Sequence, residues 1–428
     1  MMDKRINRRQ FVKHSAAATA ATAAGAWLLG TRSSLGKISP NEKLNIGVIG
    51  TANRAAADIQ GVQGENIVAI CDIDSKLLDA AQVKFPNAKR YVDFRKMLEQ
   101  KDVDAVVVGT PDHTHAVATV AALQSGRPVY CEKPLTHTIS EARIVAAVAK
   151  KSGLPTQLGN QIHASNHYRR VVEMIKTGAI GAVSEVHCWV GSVWEPFDRP
   201  AGEPVPPNLD YDQWLGPVDY RPYSHLYLPF NWRRWWVFGS GTIGDFCCHL
   251  TDLAFWAFDL EAPLTVEAEG PPVHPECVPS WLIVRYEYAR PGGAPLKLIW
   301  YSGGKRPAYQ LPEWGNGVLF VGEKGMLLTN YDQHVLLPEK DFENYTPPAP
   351  FIVNSIGHHA EWIKACKTNG PTTCNFQYGA LMTEAGLLGN VAFRVGKKIE
   401  WDAAACKAKN CPEADQYIQH HYREGWSI

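Results

Sequence analysis

The stretch Leu44-Asn45-Ile46-Gly47-Val48-Ile49-Gly50-Thr51-Ala52-Asn53-Arg54-Ala55, followed at a distance by Asn66-Ile67-Val68-Ala69-Ile70-Cys71-Asp72, decides the fold. A short apolar run ends at Gly50, a segment of helical composition follows, and a second apolar run ends at Asp72. Strand, tight turn, helix, strand and acid is the order of a dinucleotide-binding βαβ unit, with the acid about 20 residues after the turn. A helix N-terminus offers free N–H groups and partial positive charge to a pyrophosphate, and a carboxylate at the next strand end can hold ribose hydroxyls. The usual G-x-G-x-x-G pattern is incomplete, because Ala52 and Ala55 stand where the second and third glycines belong. The motif alone therefore leaves open an ordinary βαβ unit with nothing in its crevice.

The alternation continues outward. Helical composition runs from Asp74 to Phe85 and, briefly, from Asp93 to Lys101; the β-branched run Ala105 to Thr110 predicts a buried strand. A helix is expected from Pro111 to Gly126, a strand at Val129 to Glu132, and a helix opened by the capping-box spacing Thr138-Ile139-Ser140-Glu141. Pro155 to Gly159 is one more strand. Such alternation predicts an α/β, doubly wound parallel sheet, whose ligands sit at the carboxyl ends of the strands. Gly50, Asp72, Thr110 and Glu132-Lys133 all fall there. Beyond Asn160 the pattern changes to a long Pro/Trp/Tyr-rich segment, Glu195 to Trp236, and then strand-like runs from Leu264 to Thr329. These predict a second, α+β domain on an open, mostly antiparallel sheet. The expected division is a leader at residues 1–36, a dinucleotide-binding domain at 42–162 and a second domain at 163–428, to which the family resemblance given below assigns substrate binding and oligomerisation.

The 428 residues carry 43 basic and 43 acidic side chains, without a basic block beyond the N-terminus. That argues against a nucleic-acid partner, which needs a positive footprint. The ten cysteines form no C-x-x-C pair and read as small hydrophobes. Asn7-Arg8-Arg9-Gln10-Phe11-Val12-Lys13 precedes a mild Ala/Thr-rich run, the pattern of a twin-arginine export signal. A periplasmic or other extracytoplasmic location is expected, with a membrane tether if the leader is retained.

Two short motifs carry chemistry. Lys133, in Glu132-Lys133-Pro134 at a strand end, can stabilise charge developing on a substrate oxygen. Asp245 and His249, four apart in Gly244 to Asp252, share a helix face, and histidine suits the transfer of a hydroxyl proton near neutral pH. His163 and His167 repeat the spacing, but no third ligand is evident and no metal is expected. The aromatic segment, with Trp189, Trp194, Trp214, Tyr223, Tyr227, Trp232, Trp235, Trp236, Arg233 and Arg234, suits either the faces and hydroxyls of a sugar or core and interface packing.

Taken together, the strand into Gly50, Asp72, Gly109-Thr110-Pro111, Glu132-Lys133-Pro134 and Asp245/His249, in this order, resemble the Gfo/Idh/MocA oxidoreductase family. The segment 231–252 and Asn410 to Glu413 look like an exported, Trp-rich branch of it. The resemblance implies an N-terminal Rossmann domain and a C-terminal α/β domain, a homo-oligomer (dimer or tetramer) through the C-terminal sheet, and hydride transfer between a nicotinamide and a carbon of a sugar, glycoside or polyol. Lys133 would polarise the oxygen, His249 would be the acid/base, and Asp245 would support it or bind substrate. Cofactor contacts are expected from Gly50, Thr51, Ala52, Asn53, Arg54, Asp72, Thr110, Pro111, His115, Glu132 and Lys133, and substrate contacts from Asn160, Trp232, Arg233 and Trp235. Asp72 favours NAD, because a carboxylate there repels a 2′-phosphate, while Arg54 or Lys76 leaves NADP open. The alternatives are a redox-neutral glycosidase with tightly bound NAD and a non-catalytic sugar-binding protein.

Overall fold

The computed structural model describes residues 42–199, 201–290, 293–419 and 421–428. The expected leader lies outside the described residues. Described residues from Glu42 onward belong to one compact unit.

The chain first alternates β1 (Asn45–Ile49), α1 (Arg54–Val62), β2 (Asn66–Cys71), α2 (Ser75–Lys84), β3 (Lys89–Tyr91), α3 (Phe94–Met97), β4 (Ala105–Val108), α4 (Asp112–Gln124), β5 (Val129–Glu132), α5 (Ile139–Ser152) and β6 (Thr156–Gly159). These strands form a parallel sheet in the order β3-β2-β1-β4-β5-β6. The order reverses between β1 and β4, which opens a crevice at their carboxyl ends. β4, β5 and β6 are buried at every position, as strands covered by helices on both faces must be. The Thr138/Glu141 capping box forms as the spacing predicts. The short helix expected from Asp93 to Lys101 is confined to α3, four residues.

The second part begins with α6 (Asn166–Lys176), β7 (Val183–Val190), α7 (Tyr211–Leu215) and α8 (Gly241–Phe258). It continues with β8 (Thr265–Glu269), β9 (Leu282–Tyr288), β10 (Leu296–Ser302), β11 (Asn316–Gly322), β12 (Gly325–Thr329) and β13 (His334–Leu337). α9 (His358–Thr368), α10 (Phe376–Val395), β14 (Ile399–Asp402), β15 (Lys407–Ala408) and α11 (Asp415–Ile418) complete it. Its nine strands run in the order β13-β12-β11-β7-β10-β9-β8-β14-β15, and β7 with β10 is the parallel pair in an otherwise antiparallel sheet.

One apolar core runs through both sheets. α10 joins them: the Phe376 amide bonds the Thr156 hydroxyl, and the Leu158 amide bonds the Cys374 carbonyl just before α10. Arg143 of α5 is paired with Glu384 of α10. These ties fix α8, packed against α10 and β7, at the mouth of the first sheet's crevice. The aromatic segment makes a small core of its own from Tyr211, Trp214, Tyr223, Tyr227, Trp232, Trp235 and Phe238. It is stitched to the β2–α2 turn by Ser75 N to Asn208 O at 2.8 Å and Asp210 N to Ile73 O at 2.9 Å. A long segment without regular structure is thus held as one wall of the crevice.

Candidate functional site

A cavity of about 430 Å³ lies at the carboxyl ends of β1, β2, β4 and β5. One side is the turn from Gly50 to Arg54 with Asp72 and Thr110; the other is Trp232, Arg233, Asp245 and His249. The turn requires Gly50: its φ is +89°, and a Cβ there would lie 2.9 Å from the Gly109 carbonyl oxygen. The alanine at position 55 is explained by Gly109. A Cβ on Gly109 would lie 2.6 Å from the Ala55 Cβ, so the smallness that helix-on-strand packing needs is supplied from the strand side. Asn53, the residue before α1, has φ +55° and gives no side-chain cap. The N-terminal amides of α1 therefore remain available to an anion. Asp72 braces the turn, its Oδ2 accepting from Thr51 N at 2.9 Å and Thr51 Oγ1 at 2.7 Å. Burial raises its carboxyl from the ordinary value. An uncapped helix N-terminus, a glycine turn and a carboxylate at the adjoining strand end fit a dinucleotide.

Glu132-Lys133-Pro134 leaves β5 and places Lys133 at the centre. Its Nζ donates to the Asp245 carbonyl at 2.6 Å and to Asp245 Oδ1 at 2.7 Å. Arg233 Nε is 3.4 Å from the same oxygen, and Trp194 Nε1 donates to Oδ2 at 3.1 Å. Burial works to raise the Asp245 carboxyl, but the charges of Lys133 and Arg233 outweigh it and hold the group at about 2. Asp245 is therefore the counter-ion of Lys133, although it shares a helix face with His249.

The partner of His249 is Asn160. His249 Nδ1 lies 2.6 Å from Asn160 Oδ1, while Asn160 Nδ2 donates to the Cys248 carbonyl at 3.1 Å. The amide's NH₂ thus faces a carbonyl and its oxygen faces the ring, which puts the proton on Nδ1 and leaves Nε2 as an acceptor. Burial, and then the charge of Lys133, push the imidazole down to about 3. It is neutral at ordinary pH.

Two further carboxyl groups border the centre. Asp112, the first residue of α4, is pushed up to about 7 by burial, against the charges of Arg233 and Lys133. Glu132 is pushed up to about 7 by burial and by Asp58, itself raised to about 6 by burial. Glu132 Oε2 and Asp58 Oδ2 are both buried without a donor, and two carboxyl groups in contact require one shared proton. Glu132 Oε1 accepts from Arg54 Nε at 3.1 Å and from Gln161 Nε2 at 2.6 Å. Arg54 also bonds Asp58 at 3.0 Å and is engaged by carboxylates on both sides.

Of the residues singled out from sequence, the cavity brings together Gly50, Thr51, Ala52, Asn53, Arg54, Asp72, Thr110, Pro111, Glu132, Lys133, Trp232, Arg233, Asp245 and His249. Three expected contacts are corrected. His115 is 1% exposed and away from the cavity, its ring nitrogens 2.7 Å from the carbonyl oxygens of Thr110 and of Pro134; it ties those two loops together. Asn160 is completely buried behind His249, with both ends of its amide engaged. Trp235 is completely buried in the aromatic core. Lining residues not anticipated from sequence include Asp112, Gln161 and Trp426. Asp112 carried a readable signal, since it follows a strand end and Pro111 at a helix start. Trp426 carried none; it reaches the cavity because the C-terminal tail folds back, with Arg95 stacked 4.6 Å over its ring.

This geometry defines a dinucleotide-binding domain, which carries the glycine turn, Asp72 and Lys133, coupled to a second domain that supplies a carboxylate and a neutral histidine. Residues 44–160 match the oxidoreductase-family NAD-binding Rossmann fold and residues 179–428 the family's C-terminal alpha/beta domain. The chain belongs to the Gfo/Idh/MocA oxidoreductase family. Residues 5–25 match a twin-arginine translocation signal sequence, which indicates export. No helix among the described residues is long and apolar enough to cross a membrane.

Inositol 2-dehydrogenase of Salmonella paratyphi B is 30% identical over 194 residues, covering 44% of this chain and 56% of that protein. The chain thus spans about half the length of the curated relatives it matches. An NAD-binding protein from Listeria innocua has the same fold, with TM-score 0.62, 16% identity, and coverage of 89% of this chain and 100% of that one. So does the WlbA dehydrogenase from Bordetella pertussis, solved with NADH and UDP-GlcNAcA, with TM-score 0.62, 17% identity and coverage of 84% and 99%.

Proposed function

We propose that this protein is an NAD-dependent dehydrogenase of a sugar, glycoside or polyol, working in the periplasm after export. One observation carries the reading: Lys133, Asp245 and His249 share a single cavity with the glycine turn and Asp72. Residues 42–162 hold the cofactor in this reading, and residues 163–428 the substrate. Bound NAD supplies the hydride acceptor. His249 Nε2 takes the proton of the reacting hydroxyl, its availability set by the Asn160 bond to Nδ1. The ammonium of Lys133 stabilises the negative charge that grows on the same oxygen as the proton leaves. Asp245 aims Lys133 through two bonds from one ammonium. Trp232, with Arg233 stacked 4.2 Å over its ring, gives an apolar face beside a polar edge, which suits a sugar ring. The reacting carbon loses one hydride, its hydroxyl oxygen loses one proton, and the pair becomes a carbonyl.

The test is mass spectrometry of products from a panel of glycosides and polyols with added NAD. The expected product is lighter by two hydrogens and appears with NADH. Lys133→Ala and His249→Ala should fold, bind NAD and lose roughly 10²- to 10⁴-fold in turnover. Near-normal rates in both would sink the proposal.

Export supports a second reading, since free NAD is scarce outside the cytoplasm. In that case the cofactor stays bound and glycoside cleavage occurs with no net oxidation. Copurified NAD and free sugar without NADH are its signature. We also infer a homo-oligomer, supported by the half-buried apolar side chains of Tyr301, Val321, Met326, Val335 and Leu337, which share one face of the nine-stranded sheet. Light scattering at a monomer mass would refute it.

A further inference from the structure

A second cavity, about 280 Å³, lies between the C-terminal tail and the start of α8. It is separate in its lining from the cavity that holds Lys133 and His249. Its distinguishing residue is Arg394, near the end of α10. The guanidinium lies 3.8 Å over the ring of Tyr417 and 4.9 Å from that of Trp236. Among the described residues it has no carboxylate partner within ion-pair reach, in contrast to Arg143 on the neighbouring helix, which is paired with Glu384. Burial lowers Arg394 to about 10, and the largest opposing influence is a tyrosine ring rather than an acid.

A half-buried guanidinium without a counter-ion is costly, because desolvation is not repaid by any Coulomb attraction. Stacking covers the faces of the group and leaves its N–H edge as the polar part. That edge is a planar fork that matches two oxygens of one anion. Other polar groups border the same space. Ser240 is 3% exposed, and its Oγ is buried without a hydrogen-bond partner. Asn390 is 7% exposed and donates from Nδ2 to the Ser240 carbonyl at 2.9 Å. Arg221 also lines the cavity, but it is 3.6 Å from Glu276 and so already has an acid. The carboxylate in the lining, Asp219, is on the exposed rim.

We propose that this cavity is a second binding site, for a small oxyanion of the carboxylate or phosphate type, held by the fork of Arg394 between Trp236 and Tyr417. The site is connected to the catalytic cavity by a short path. Ser240 immediately precedes α8, the helix that carries Asp245 and His249, and His137 follows Lys133 by four residues. An anion seated there braces the start of α8 and the tail against α10.

The experiment is titration calorimetry of the full chain with acetate, phosphate and chloride at constant ionic strength. Saturating NAD is present, so that the pyrophosphate site is filled. Saturable binding of acetate or phosphate, but not chloride, is expected. It should weaken roughly tenfold or more in Arg394→Gln, the size of one lost charge-assisted contact. Arg394→Lys keeps the charge and loses the fork, and the same direction is expected for it, which covers the case in which the glutamine variant fails to fold. Acetate preferred over phosphate identifies a carboxylate ligand, and the reverse identifies a phosphate. No saturable binding by the wild type, or equal affinity in a folded Arg394 variant, overturns the proposal.

Discussion

Asn160→Ala is the most informative single change, because Asn160 touches neither cofactor nor substrate space and yet sets the state of His249. In the wild type, His249 Nδ1 and Asn160 Oδ1 are 2.6 Å apart, and the amide cannot turn over because its NH₂ bonds the Cys248 carbonyl. Removing the acceptor leaves a buried N–H without a partner, a penalty of roughly 1–3 kcal/mol that falls on the useful tautomer. The ring relieves it by moving the proton to Nε2, the nitrogen that must accept. At 1.4 kcal/mol per factor of ten, kcat should fall between roughly fivefold and 150-fold. That is smaller than the loss expected from deleting the ring. The assay is kcat across pH together with ¹⁵N shifts of the His249 ring, which report the tautomer without reference to turnover. Asn160→Asp works in the opposite sense. A carboxylate against Nδ1–H stabilises the imidazolium and should lift His249 from about 3 by roughly 1–3 units. An acid limb then enters the pH profile that the wild type lacks. Asn160→Ala with kcat within about twofold of wild type and an unaltered ring spectrum would refute the tautomer argument.

Two other predictions follow from packing and charge. Gly109→Ala drives a Cβ to 2.6 Å from the Ala55 Cβ and 2.9 Å from its Cα, and should cost roughly 1–3 kcal/mol in urea unfolding while weakening NAD binding. Adding Ala55→Gly should recover part of that loss, and no recovery would show that the two positions do not share the space. Asp112 is raised to about 7 in the fold, so the native state binds its proton more tightly than the unfolded chain. Its stabilising influence is present at low pH and is lost as pH rises from about 4 through 7. Asp112→Asn should therefore gain on the wild type by a few kcal/mol between about pH 4 and pH 8, read as the difference between two urea series. An unchanged difference across that range would show that Asp112 ionises freely.

Sequence alone determined the first domain, and it did so because the signals are local. A β-branched run such as Ala105 to Val108 is buried on both faces wherever it lies in a parallel sheet. The carboxyl ends of successive parallel strands share one edge, so Gly50, Asp72, Thr110 and Lys133 had to meet. The i, i+4 spacing put Asp245 and His249 on one face of a helix. Tertiary structure decided which partner each one takes. Asp245 goes to Lys133, 112 residues away, and His249 goes to Asn160, 89 residues away. Spacing fixes the direction of a side chain along its own helix but is silent about what the opposing element presents. The same limit explains Ala55, whose smallness matters only against Gly109 across the sheet. It also explains Trp235 and His115, whose composition suited a ligand but which the packing of neighbouring loops closed away from one. Trp426 is the extreme case, since a residue at the C-terminal end lines the cofactor cavity only because the tail returns across the fold. Residue type and period fix local geometry, and burial, pairing and proton position are properties of contacts between distant parts of the chain.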